Sequence, residues 1–388
     1  MFSSRFHWDL RPNRLTQAVE CRRRSGSPIL DLTESNPTRA GLLYPAEIVD
    51  AFHDPAMLLY QPSPAGLPAP RQAVASYYAL RQHPTDPSRI LLTASSSEAY
   101  AYLFKLLCNP GEEVLVPRPS YPLFEFLAAL ESVQVRTYSL SYHGEWSIDL
   151  DSVTRAISQR TRAIILVNPN NPTGSYVKRH ELEALTALAS ERQLALISDE
   201  VFSDYTLRFD AAQVRSLANV EECLTFSLNG LSKIAGLPQM KLGWMVVSGP
   251  DRLQTEALEK LEWIADTYLS VGTPVQHAAA HLLQAGESVQ RDIRQRIGAN
   301  LALARSTLST SPATILDVEG GWYITLRVPN VRSEEEWALG LLAEEGVLVQ
   351  PGYFFDFESE PFLVLSLLTR PDTFAEGISR LPRHITVP

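Results

Sequence analysis

The sequence predicts an α/β fold, a largely parallel sheet covered by helices. Three observations carry this. Short β-branched runs alternate with segments of helical periodicity from about residue 90 onward. The chain's 388 residues give room for two domains with sizeable cores. The polar clusters fall at the ends of the expected strands, where ligands of such sheets bind.

In order, "PSPAGLPAP" (62–70) is a turn and "RQAVASYYAL" the helix beginning after it. "RILLTAS" reads as strand then loop, and "SEAYAYLFKLLC" has apolar residues at helical spacing. "EEVLVPRPSYP" is strand then loop, "PLFEFLAALES" helix, "VQVRTYSL" and "RAIILVNP" strands. "RHELEALTALASERQ" is an amphipathic helix leading into the strand "LALISDE", and "CLTFSLNG" and "LGWMVVSG" follow as strands. The last third changes character. "SVQRDIRQRIGANLALARSTL" reads as one long helix. "GGWYITLRVP", "EEWALGLLAEEGVLVQPG" and "PFLVLSLLTR" read as strand, helix–strand and strand. This is a smaller α/β unit, which the segment before about residue 45 is expected to complete.

Composition narrows the function. The chain is 45% hydrophobic and 20% charged, ordinary for a globular protein. A net charge of -10 argues against nucleic-acid binding, which needs a basic surface. Arg22-Arg23-Arg24 is the only basic run and reads as a solvated helix face. Cys21, Cys108 and Cys223 form no metal-ligand pattern and cannot all pair. With no signal-peptide core and no apolar run of transmembrane length, the expectation is a cytoplasmic protein with no metal and no membrane partner.

Five polar clusters, "TASSSE", "PRPSYP", "NPNNPTG", "SDEVFSDY" and "SLNGLSK", sit at expected strand ends. One alone reads as a turn; five at one edge read as a site. Lys233 stands among small and apolar neighbours, where a lysine either snorkels to the surface or is paired or covalently bonded.

The ordered motifs "YQPSPAGLP" (60–68), "TASSSEA" (93–99), "PSYP" (119–122), "NPNNPTG" (168–174), "SDE" (198–200) and "SK" (232–233) resemble those of the fold-type-I pyridoxal-phosphate enzymes. This is the aspartate aminotransferase superfamily, class I/II, and the resemblance covers nearly the whole chain. It implies a large cofactor-binding domain over 45–285, with a mostly parallel seven-stranded sheet sandwiched by helices. It also implies a small domain from 1–44 and 286–388. The implied activity moves an amino group between an amino acid and a 2-oxo acid. Lys233 is then the Schiff-base lysine of pyridoxal 5'-phosphate, its freed amine moving the proton. Asp199 pairs with the pyridine nitrogen and keeps the ring cationic. Asn171 donates to the 3′ oxygen and lines the substrate pocket, and Tyr121 stacks on the ring. Ser95, Ser96 and Ser97 open a helix whose N-terminus suits a phosphate dianion, with Ser232 and Lys241 as further phosphate partners. Tyr60 resembles the tyrosine that reaches a partner's phosphate across a homodimer interface.

Four positions depart from the family pattern. Relatives carry arginine at the position of Lys241, and lysine lacks the bidentate fork. Gly230 stands where a phosphate-binding serine is common. Phe202 replaces a tyrosine whose hydroxyl also donates to the 3′ oxygen; Tyr205 is the next hydroxyl along the chain. Val364 aligns with the arginine that clamps the substrate carboxylate. Arg370, then Arg39, are the candidate replacements, with Asn36 and the backbone near Gly41 expected in the pocket. A lyase acting by β-elimination, a cyclase or a decarboxylase shares Lys233 and Asp199 and is the competing enzymatic reading. A non-enzymatic cofactor-binding regulator is the reading from another class.

Overall fold

The chain forms a computed structural model that describes residues 2–6, 8, 11–359 and 361–385. A central sheet is built from β1 (Ile90–Thr93), β2 (Glu113–Arg118), β3 (Gln134–Tyr142), β4 (Trp146–Ile148), β5 (Thr161–Val167), β6 (Ala195–Asp199), β7 (Thr225–Gly230) and β8 (Gly243–Ser248). Their spatial order is β1-β8-β7-β6-β5-β2-β3-β4. Only β8 and β4 run against the rest. The sheet therefore has eight strands, one more than expected. The eighth arises because the chain turns back at His143–Glu145, where a backbone hydrogen bond of 3.0 Å closes the turn. Its Trp146 is buried against Leu316 and Phe362, near the C-terminal strands.

Successive side chains of a strand alternate between faces, and both faces of this sheet are covered. Ala163, Ile165 and Ile197 pack with the helices α1 (Ser96–Leu107), α2 (Phe124–Leu130) and α3 (Asp251–Asp266). Ile164, Leu166 and Leu196 pack on the other face with Leu185 and Ala189 of the helix Arg179–Arg192. The helix Pro68–Leu80 completes that face, packing with the helix Thr273–Leu308.

Thr273–Leu308 is a single 36-residue helix that begins beside the large sheet and ends at the smaller unit. The expected division at 285/286 falls inside it. Beyond it, Tyr323–Arg327 pairs antiparallel with Phe362–Ser366. Leu30–Asp31 pairs in parallel with Val347–Leu348, joining the N-terminal segment to the C-terminal unit. The basic run 22–24 ends the helix Arg14–Arg24. Arg24 bonds Glu20 at 3.2 Å, whereas Arg22 holds the Pro28 and Ala343 carbonyls, docking that helix.

Candidate active site

The carboxyl ends of the parallel strands converge. Val167, the last residue of β5, is in register with Asp199, the last of β6, and Asp199 with Leu228 of β7. Their loops, with those after β1 and β2, wall a cavity of about 290 Å³. Into it the fold brings Ser95, Ser96, Ser97, Tyr121, Asn171, Asp199, Ser232 and Lys233 from the sequence-derived set.

Lys233 lies on the single turn Leu231–Ile234 that follows β7. Burial pushes its amine below the ordinary range, and the charge of Asp199 opposes this in part. Its Nζ lies 5.1 Å from the Trp322 ring centroid and 5.7 Å from that of Phe202. Asp199 is pushed up to about 6 by burial, against hydrogen bonds from the Val201 N–H and the Tyr100 hydroxyl, each 3.3 Å, and the charge of Lys233. Glu200 points to the other face; burial raises it to about 7, and the Ser216 hydroxyl (2.6 Å) and Leu217 N–H (2.8 Å) donate to it. Burial and Asp199 raise Tyr121. Asn171 Oδ1 is buried with no hydrogen-bond partner, an unmet polar group at the cavity wall.

Ser95 caps α1, its hydroxyl accepting from the Glu98 N–H at 3.2 Å, so the first turn of α1 opens on the cavity. Behind it, Gly230 and Gly243 pair across β7 and β8. A Cβ on Gly230 would lie 2.9 Å from Gly243 Cα and 3.0 Å from the Leu242 carbonyl oxygen. The missing serine at 230 has this steric cause: any side chain there must push β8 away.

Other expectations fall elsewhere. Lys241 is exposed at φ +51° and does not line the cavity. The Asn36 carboxamide oxygen accepts from the Thr38 N–H (3.0 Å) and hydroxyl (2.7 Å), leaving it tied within its own turn outside the cavity lining. Arg370 packs on Gly41, 60% exposed, with Asp372 at 3.6 Å from its Nε. Arg39 is exposed. Val364 is fully buried in the C-terminal sheet opposite Thr325 and Gln350. Tyr60 is 77% exposed and does not line this chain's cavity. Tyr205 is buried, and its hydroxyl donates to the Lys233 carbonyl rather than reaching into the cavity.

Sequence reasoning missed Tyr100, Asn229, Ser35 and Tyr323, which all line the cavity. Tyr100 sits on the buried face of α1, and a buried tyrosine hydroxyl demands a partner, here Asp199. Burial pushes Tyr323 up to about 12, with the Ser35 hydroxyl opposing the rise. Among the described residues no cluster of metal-ligating side chains occurs, and no helix is long and apolar enough to cross a membrane.

A depressed lysine amine, a carboxyl group, an unmet amide and three serines at a helix N-terminus suit a phosphorylated pyridine aldehyde. The model of the aminotransferase class I and II family matches residues 27–381. The chain belongs to the class I and II aminotransferases. It is 28% identical over 372 residues to the glutamate-pyruvate aminotransferase AlaA of Escherichia coli K12, covering 93% of this chain and 91% of that protein. It is 29% identical to the alanine aminotransferase of Mycobacterium tuberculosis, over 92% and 85%. An alanine aminotransferase structure from Pyrococcus furiosus superposes with a TM-score of 0.89 at 24% identity, over 99% of each chain. A mutant aspartate aminotransferase from Thermus thermophilus gives 0.85 at 24%, again over 99% of each. The protein is thus a pyridoxal-phosphate-dependent aminotransferase acting on amino acids and 2-oxo acids.

Proposed function

We propose that Lys233 is the lysine that holds pyridoxal phosphate and performs the proton transfer of transamination. The observation that carries this is the position of its amine: buried, depressed by burial, and in one cavity with Asp199. When bound, the cofactor supplies an aldehyde for amines and a ring that withdraws electrons. A depressed amine is unprotonated more of the time, so Lys233 Nζ would be the base that takes up and releases the proton of the substrate Cα. Asp199 keeps the ring nitrogen protonated, and a carboxyl raised by burial gains most from a cationic partner. Asn171 donates from Nδ2 to the cofactor oxygen, Tyr121 covers the ring, and Ser95–Ser97 with Ser232 take the phosphate.

Lys233 is the only cation among the lining residues, while Leu123, Phe124, Leu127, Val201 and Leu242 form apolar wall. Neutral donors from Ser35, Asn171 and Tyr323 then hold the substrate carboxylate, and the wall favours apolar side chains. The relatives' names, alanine and glutamate–pyruvate, support a small 2-oxo acid as acceptor. Tyr60, Leu58 and Leu59 are all exposed, which supports a homodimer in which Tyr60 serves the partner's cavity. Three free cysteines favour a reducing, cytoplasmic setting.

Borohydride reduction of the holoenzyme followed by peptide mass spectrometry tests the assignment. The cofactor mass is expected on the Lys233 peptide. Attachment at Lys241 or at no lysine overturns it.

A further inference from the structure

A second cavity of about 550 Å³ shares no lining residue with the site above. The helix Pro68–Leu80, the segment 200–216 and the helix Thr273–Leu308 enclose it. Tyr77, Tyr78 and Glu200 are its most buried lining residues, while Arg81, Arg215 and Arg294 supply its positive charge; burial and the charge of Arg215 lower His83, which lines it as a neutral ring.

Its two carboxylates are already engaged. Asp204 receives Arg81 through two bonds (2.7 and 2.8 Å), the Tyr77 hydroxyl (3.0 Å) and Gln290 Nε2 (2.7 Å). Glu200 accepts from Ser216 and Leu217 on the sheet side. Among the described residues, two of its guanidiniums, Arg215 and Arg294, pair with no carboxylate. Arg294 bonds only the Asp204 backbone carbonyl (2.9 Å) and Gln290 Oε1 (2.8 Å). Arg215 reaches Gln213 Oε1 at 3.5 Å and lies 5.0 Å from the Tyr176 ring centroid. A guanidinium carries five N–H donors in a fork that matches an oxyanion, so each has donors to spare. The chain's net charge is -10, so its composition does not account for two unmatched arginines in one cavity.

We propose that this cavity is an anion site, taking a small dianion of the dicarboxylate or phosphate class on Arg215 and Arg294. It has a route to the active site. Gln290 Nε2 donates both to Asp204 and to the Ile234 carbonyl (2.8 Å), one residue past Lys233. Asn229, in the wall of the cofactor cavity, donates to the Tyr77 hydroxyl at 3.4 Å. An anion that takes Arg294 from Gln290 Oε1 therefore alters the anchor of the Lys233 turn, which is a differential contact between filled and empty states.

Calorimetric titration of the holoenzyme with inorganic phosphate and, separately, with malonate tests this. Wild type is compared with Arg215→Ala/Arg294→Ala and with Arg215→Lys/Arg294→Lys. At least one anion is expected to bind wild type at millimolar concentration, to bind the alanine variant at least about tenfold more weakly, and to recover in part with lysine. Phosphate alone binding identifies a phosphate-bearing ligand, and malonate binding a dicarboxylate. Equal affinity in wild type and the alanine variant, or no binding of either anion, overturns the proposal. Unchanged circular dichroism of the variants shows that they fold.

Discussion

Asp199→Asn in the cofactor-free protein separates the cost of a buried carboxylate from its use. Burial raises Asp199 from 3.8 to about 6 despite two hydrogen bonds and the charge of Lys233. A rise of that size corresponds to about 3 kcal/mol withheld from folding once the group is ionised. The folded state then binds the Asp199 proton more tightly than the unfolded state. Its contribution to stability is greatest below the unfolded value and declines as pH rises from about 4 to about 6. Asparagine carries no charge; its single Oδ1 can accept from the Val201 N–H, while its Nδ2 meets the Tyr100 hydroxyl as a donor to that oxygen. The cofactor-free variant should be more stable than cofactor-free wild type near pH 8 by about 1–3 kcal/mol, the lower figure allowing for the hydrogen bond that asparagine must rearrange. The gap should close near pH 4. Saturating pyridoxal phosphate should reverse the order, because wild type gains more by linkage when the ring nitrogen finds a carboxylate. Urea unfolding near both pH values, with and without cofactor, measures this, equal slopes confirming a change in stability alone. A variant no more stable than wild type near pH 8 without cofactor would refute the reasoning.

Three further outcomes follow from the site. Phe202 lines the cavity with its ring 5.2 Å from Trp322; Phe202→Tyr adds a donor and should lower the pKa of the Lys233-bound cofactor by about one unit in an absorbance titration, an unchanged or higher value contradicting this. Tyr205→Phe removes the hydroxyl on the Lys233 carbonyl; it should cost about 1–2 kcal/mol in denaturant unfolding and lower kcat with KM little changed, whereas a raised KM alone would point to substrate binding. Lys241 is exposed outside the cavity while Ser97 lines it; Lys241→Ala should weaken cofactor binding only about threefold and Ser97→Ala about tenfold by equilibrium dialysis, and the reverse ranking would return the phosphate to Lys241.

The parallel sheet and the loops at its carboxyl edge were legible because strand, helix and turn residues agree along the chain. Lys233 stood out as a charged residue beside small and apolar neighbours, and Asp199 through its motif alone; the fold brings the two into one cavity. What stayed hidden depends on distances between remote segments. Ser35 and Tyr323 reach the cavity only because the C-terminal unit is packed beside the large sheet. Asn36 looked available until its own turn claimed its amide. Gly230 read as a lost serine, yet its cause is a strand partner within 3 Å of any Cβ. The edge strand Trp146–Ile148 is too short to announce itself by alternation, and its anchor is a contact with Leu316 and Phe362.

Transamination by Lys233 and Asp199 is tested most directly by the half-reaction. Purified holoenzyme is mixed with a single apolar amino acid and no 2-oxo acid, and absorbance is followed with product assay. Conversion to the pyridoxamine form with one equivalent of 2-oxo acid, and no ammonia, is the expected result. Continued release of ammonia with the original absorbance regained would contradict it and mark an eliminating enzyme.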